Sequence, residues 1–226
     1  LFQWDRPWEK VTYFTCSSWR VIRDPAEGLF KCWYEDWQFE PNEQFSGSVS
    51  FHDPCYFPSR YLYAQSRDGI HWEKPQLDVR AENDRRTNIV IGARDFRSTF
   101  GSVHSGYVFL DPLAADEKHR YKVMFNHRRP GIDGPGTKGT YEIASSPDGI
   151  HWRPWGGVLR LGPWGPLLGD VLTLSVDIDQ RVYILNTRHP RMGTAWSDPG
   201  ESASPRFLRP YRPLDPMHNN KRRIFQ

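Results

Sequence analysis

Five side chains stand where the surrounding pattern gives their chemistry a direction. Asp170 follows Gly169 and opens the apolar run Val171-Leu172-Thr173-Leu174. Its carboxyl therefore sits at the mouth of a strand, either as a proton donor and acceptor or as the cap of the Pro166-to-Gly169 turn. His104, in Gly101-Ser102-Val103-His104-Ser105, offers an imidazole that titrates near neutrality, for proton transfer or for a structural bond to a neighbour. Arg188, after Ile184-Leu185-Asn186-Thr187, offers a planar fork that grips a carboxylate, a sulfate or a hydroxyl, or else pairs with an adjacent acid. Glu35, next to Asp36, reads either as an inward-facing acid or as a solvated hairpin acid. Trp164, six residues before Asp170, is a flat apolar platform or a packing residue.

The elements that must position these groups come from a repeat. Gln65-Ser66-Arg67-Asp68-Gly69-Ile70-His71-Trp72 is nearly copied by Ser145-Ser146-Pro147-Asp148-Gly149-Ile150-His151-Trp152. Asp-Gly between two alternating apolar runs is a hairpin signal, because glycine accepts a positive φ. A second motif precedes each copy: Val21-Ile22-Arg23-Asp24-Pro25 before Leu29–Tyr34, and Val108-Phe109-Leu110-Asp111-Pro112 before Arg120–Phe125. A third, weaker copy runs Leu174-Ser175-Val176-Asp177 into Arg181–Leu185. The unit is strand, aspartate turn, strand, variable loop, strand, Ser-x-Asp-Gly hairpin, Trp-bearing strand. That predicts an all-β chain of four-stranded antiparallel blades, a β-propeller.

Blade one is placed at about residues 11–80 and blade two at about 101–160. Blade three, about 169–226, is incomplete, with Arg222-Arg223-Ile224-Phe225 as its third strand. Together they form one partial propeller domain over 1–226. Propellers close with four to eight blades, so the chain is expected to be a fragment or to complete its ring with a partner chain. The alternative is a smaller sandwich. Asp24, Asp111 and Asp177 hold one equivalent place, which predicts turn-formers rather than catalysts. His71, His151, Trp72 and Trp152 belong to the repeated hairpin and are expected to be structural. Trp4, Trp37, Trp155 and Trp164 are expected to be exposed aromatics or inter-blade packing.

Composition agrees with many short strands. Aromatics make up 15% of 226 residues, and 18 Gly with 19 Pro supply turns without reaching the excess of a disordered chain. A net charge of +3 from 30 basic and 27 acidic residues argues against a nucleic-acid partner. No apolar run reaches the ~20 residues of a membrane helix, so no membrane association is expected. Leu1 opens without a signal peptide, and a processed or truncated start is expected. Cys16, Cys32 and Cys55 show no C-x-x-C spacing, so a zinc site is not expected. One bridge with a free thiol, and three buried thiols, both remain open. No cofactor is expected.

These motifs resemble the five-bladed propeller superfamily of glycoside hydrolases, in particular family 32-like and 43-like bacterial proteins. The resemblance runs from Pro7-Trp8-Glu9 through Lys31-Cys32-Trp33-Tyr34, Asn88-Ile89-Val90 and Arg120-Tyr121-Lys122 to both Ser-x-Asp-Gly-Ile-His-Trp hairpins. It implies a funnel lined by the innermost strands, with two carboxyl groups working on a glycosidic bond. It implies Asp170 as a funnel carboxylate, and His104, Arg188, Glu35 and Trp164 as residues in contact with a carbohydrate. It also implies a secreted or periplasmic protein, with the cytoplasm left open. The first inner strand, Thr15-Cys16-Ser17-Ser18-Trp19-Arg20, has no acid. A non-catalytic carbohydrate-binding propeller, or an assembly fragment completed by a partner chain, therefore stands beside the hydrolase.

Overall fold

The computed structural model describes residues 3, 5–13, 19–37, 59–92, 103–127, 140–159, 172–179, 181–188 and 220–225. Apart from one 3₁₀ turn at Glu117–His119, its regular structure is antiparallel strand.

Blade one is built on β3 (Leu29–Trp37). Along one edge of β3 run β1 (Val11–Tyr13) and β2 (Trp19–Asp24); along the other run β4 (Ser59–Ser66) and then β7 (Ile89–Ile91). A separate hairpin, β5 (Leu77–Glu82) with β6 (Arg85–Thr87), is inserted before β7. Blade two runs in order: β8 (Val103–Leu110), β9 (Tyr121–His127), β10 (Thr140–Ser146) and β11 (Arg153–Leu159). Blade three shows β12 (Leu172–Asp177), β13 (Val182–Arg188) and β14 (Asn220–Phe225), with Arg222–Phe225 in the third strand as expected.

The Trp-bearing run of blade one is a correction to the repeat. After Trp72 the chain makes only one bridge, Gln65 to Glu73, and β7 supplies the fourth strand instead. The edge of β4 beyond that bridge is taken by Asn88, whose O accepts from Tyr63 N (2.8 Å), and then by β7. In blade two the strand starts just after Trp152.

Successive residues of a strand face opposite sides, and β3 uses both. Lys31 and Trp33 face blade two, where Lys31 Nζ donates to Asp148 O (2.9 Å) and Trp33 Nε1 to Gly149 O (2.6 Å). Trp33, Tyr61 and Tyr63 pack there with Val108, Tyr121, Val123, Phe125 and Ala144. Cys32, Tyr34 and Asp36 face the other way. Trp8 packs over Cys32 and Tyr34, and Lys10 N donates to Asp36 Oδ1 (3.0 Å). Burial pushes the Cys32 thiol up to about 12, against a weaker opposing pull from Lys74. Blades two and three meet through Tyr107, Phe109, Met124 and Leu174.

The turn aspartates fasten one blade to the next. Asp24 accepts from the N–H groups of Ala26 (2.8 Å) and Glu27 (3.3 Å) in its own turn, and from Arg120 Nη2 (2.8 Å) and the Tyr121 hydroxyl of blade two. Asp111 repeats this: it accepts from Leu113 N (2.9 Å), from Lys122 Nζ, and from the Tyr183 hydroxyl of blade three (2.8 Å). Burial works to raise the Asp24 pKa, but the Tyr121 hydroxyl, the two turn N–H groups and the Arg120 charge outweigh it and hold the carboxyl at about 2.

Candidate functional site

Register locates three candidate residues relative to one another. Each turn aspartate faces a residue on its blade's second strand: Asp24 faces Leu29, Asp111 bonds through its N–H to Arg120 O, and Asp177 faces Val182. Six residues further along those strands come Glu35, Asn126 and Arg188. These three therefore occupy the corresponding rung of three successive blades, at the end opposite the aspartate turns. His104 lies directly across from Asn126, as Tyr13 lies across from Glu35. Corresponding rungs of a propeller share one level around the axis. Among the described residues of that rung, Glu35 is the one carboxyl group.

Glu35 is fully buried (0% exposed), which replaces the solvated-acid reading. It sits at the centre of its blade, paired with Tyr13 on one side and Tyr61 on the other, so neither strand edge opens to water. Tyr61 is a further link to blade two. Its hydroxyl accepts from Gly106 N and lies 3.5 Å from Gly106 O, at the irregularity in β8 between His104 and Tyr107. A Cβ at residue 106 would come within 2.8 Å of the Tyr61 ring, so a glycine there lets the phenol reach the inner strand. Burial, and then the Glu35 charge, push the Tyr61 hydroxyl well above its ordinary range, so it stays protonated.

A second polar cluster lies behind the blade. Glu9 accepts from Tyr34 Oη (2.8 Å) and from Lys74 Nζ (2.7 and 2.9 Å). Asn88 bridges Tyr34 Oη (2.8 Å), Tyr63 O (2.7 Å) and Trp8 Nε1 (2.7 Å). Asp36 pairs with Arg60 Nε (3.1 Å), while the Arg60 fork also reaches Glu82 and Trp8 O. Burial raises Asp36 to about 6, against the pull of Arg60 and the Lys10 N–H. These groups bond to one another and anchor residues 5–10, a structural role.

The sequence-selected residues divide accordingly. Glu35 and the backbones of His104 and Arg188 fall on one rung. Asp170, Trp164 and Trp4 lie outside the described residues, as do Cys16 and Cys55. Trp37 follows the packing alternative: it is buried (7% exposed), with β1 and β4 flanking it on both edges. Trp155 is partly exposed, with Lys122 Nζ 4.6 Å from its ring centroid. His71 and His151 are tied to Asp68 and Asp148 (2.6 and 2.7 Å) within their own turns. Sequence reasoning passed over Asn126 and Tyr61. Counting six residues from the residue that faces each turn aspartate would have found Asn126; no local signal marks Tyr61, whose role depends on a residue 45 positions away. No group of metal-ligating side chains occurs among the described residues, and no described helix is long and apolar enough to cross a membrane.

The blades, their order and their clasps define a partial β-propeller. Comparison with one solved structure agrees on the fold. A fructofuranosidase variant of Schwanniomyces occidentalis, complexed with fructosylnystose, superposes with a TM-score of 0.51 at 13% identity, over 80% of this chain and 30% of that one. The same enzyme complexed with fructosyl-erythritol gives 0.47 at 14% identity, over 83% of this chain and 30% of that one. A Bombyx mori β-fructofuranosidase gives 0.44 at 13% identity, over 77% and 30%. The chain thus spans about a third of the length of these propeller glycoside hydrolases. No protein-family model and no curated protein matches the sequence.

Proposed function

We propose that the chain forms part of the sugar-binding funnel of a β-propeller glycoside hydrolase acting on an oligo- or polysaccharide. The observation that carries this reading is the shared rung of Glu35, Asn126 and Arg188, with His104 across from Asn126. In this reading Arg188 and Asn126 hold sugar hydroxyls, His104 bonds or relays a proton, Trp164 stacks on a sugar face, and Glu35 fixes the Tyr61 end of the funnel. Asp170, two residues before Leu172 at the start of β12, acts as the funnel carboxylate. A glycosidic bond needs a second carboxyl to share the work. A polysaccharide substrate would place the protein outside the cytoplasm, secreted or periplasmic.

The first inner strand, Thr15-Cys16-Ser17-Ser18-Trp19-Arg20, carries no acid in its sequence, which favours a second reading, a propeller that binds carbohydrate without cleaving it. Reducing-sugar release from an oligosaccharide panel that includes fructosylnystose separates the two. Turnover that Asp170→Asn abolishes while binding persists supports the hydrolase. Saturable binding with no turnover supports the binding module. Neither binding nor turnover overturns both.

A further inference from the structure

The first strands of the three blades, β2, β8 and β12, neighbour one another in turn, as the strands that line a propeller's axis do. The residue four places before each turn aspartate holds one position on them: Arg20 across from Trp33, Tyr107 across from Met124, and Thr173 across from Asn186. That position lies two residues short of the rung of Glu35, Asn126 and Arg188. Arg20 reaches sideways from blade one and lays its guanidinium over the Tyr107 ring of blade two, with Cζ 4.7 Å from the ring centroid. Stacking of this kind fixes the plane of the guanidinium but uses none of its N–H donors, which lie along its edge.

Those donors find no acceptor among the described residues. Arg20 Nε is buried without a hydrogen-bond partner, and no described carboxylate pairs with the group. This sets Arg20 apart. Lys31, Arg60, Lys74 and Lys122, the buried cations among the described residues, each pair with a carboxylate. A cation that serves only to join blades would be expected to do the same, because a charge withdrawn from water needs an opposite one. Arg20 as a whole is only half-buried, so its Nη end is the part left to meet a ligand. Glu35, fully buried, presents no carboxylate to that ligand.

We infer that Arg20 is an anion-recognition residue of the funnel, and that the carbohydrate it takes is an acidic one, bearing a carboxylate or a sulfate. Either group offers paired oxygens that match the guanidinium fork, with Tyr107 holding the fork in plane. A neutral sugar would give the fork a hydroxyl but leave its charge uncompensated. This inference rests on the sugar-binding reading and narrows it from carbohydrates in general to charged ones.

The test is calorimetric titration of the full chain with oligosaccharides in matched pairs. One pair is a galacturonate trisaccharide and its methyl ester; the other is a sulfated galactan trisaccharide and its desulfated form. The parent should bind an acidic member about tenfold or more tightly than its neutral match, the worth of a charge-assisted hydrogen bond. The pair that shows the preference tells carboxylate from sulfate. Arg20→Gln should lose that preference while its affinity for the neutral member stays unchanged, a split that a merely structural role would not produce. Arg20→Lys keeps a cation over Tyr107 without the fork, and should fall between the two; it carries the test if Arg20→Gln does not fold. Neutral members bound as tightly as acidic ones by the parent, or a preference that survives both substitutions, would overturn the inference and leave the sugar-binding reading standing. No binding of any member by the folded parent would overturn both.

Discussion

The pair Gly149→Ala and Gly69→Ala isolates the cost of wedging a hairpin between blades. Both glycines have a positive φ, +79° and +76°, and sit in hairpins of the same internal geometry. An L-residue in that conformation costs about 1–2 kcal/mol at either position. At Gly69 nothing more is added, because the new methyl meets Phe30 at an ordinary 3.7 Å. At Gly149 the methyl collides with Trp33. That ring is fully buried, held by its bond to Gly149 O and tilted against Tyr63 and Tyr121 at 5.7 and 5.6 Å, so it has little room to retreat. Overpacking of this kind costs about 1–3 kcal/mol more, for a total of about 2–5 kcal/mol. Each kilocalorie lowers Tm by about 2–4 °C in a domain of this size. Thermal and urea unfolding should show Gly149→Ala losing clearly more than Gly69→Ala. In a Trp33→Phe background, where the ring is smaller, the penalty of Gly149→Ala should fall back towards the Gly69 value. Equal penalties at the two glycines, with no change in the Trp33→Phe background, would refute the wedge.

Tyr121→Phe should destabilise by about 1–3 kcal/mol, because it strips a hydroxyl from the buried Asp24 carboxylate. Asp24 is depressed to about 2 in the fold, so its contribution is present above about pH 4 and is lost as the pH falls through 2. Tyr121→Phe should shrink that acid-sensitive part, as acid unfolding followed by circular dichroism would show. Asp36 has the opposite sign: raised to about 6, it contributes stability below about pH 4 that is lost as the pH rises through 6. A carboxyl-carbon NMR titration should find its midpoint near 6, and a midpoint near 4 would contradict the burial argument. Lys74→Met should cost about 3–5 kcal/mol in urea unfolding, since it leaves the Glu9 carboxylate buried without its cation.

The blade pattern was legible because its signals are local. The Asp-Gly hairpins, the aspartate turns and the alternating aromatic runs each lie within about ten residues and obey fixed turn and strand chemistry. The turn role of Asp24 and Asp111 could be read the same way, from their repetition. That the same carboxylates also clasp the next blade could not, because their partners Tyr121 and Tyr183 lie 97 and 72 residues away. The fourth strand of blade one was misplaced for a related reason. The run after Trp72 has the residue types of a strand, but the edge of β4 it would pair with is taken by Asn88 and Ile89–Ile91, which come after an inserted hairpin. Of the site, the residue types were legible and their common level was not. That Glu35 and Arg188 hold equivalent positions on their blades shows only when register is counted from the turn aspartates, and the burial of Glu35 depends on strands that flank it on both edges.

Calorimetric titration of the full chain and of Arg188→Ala against an oligosaccharide panel tests the proposed sugar-binding rung most directly. Losing a charge-assisted hydrogen bond of about 1.5–3 kcal/mol weakens binding roughly tenfold or more. The account predicts saturable binding of at least one oligosaccharide by the parent chain, weakened by that factor in Arg188→Ala with the fold intact. No binding by the folded parent, or equal affinity in the two proteins, would contradict it.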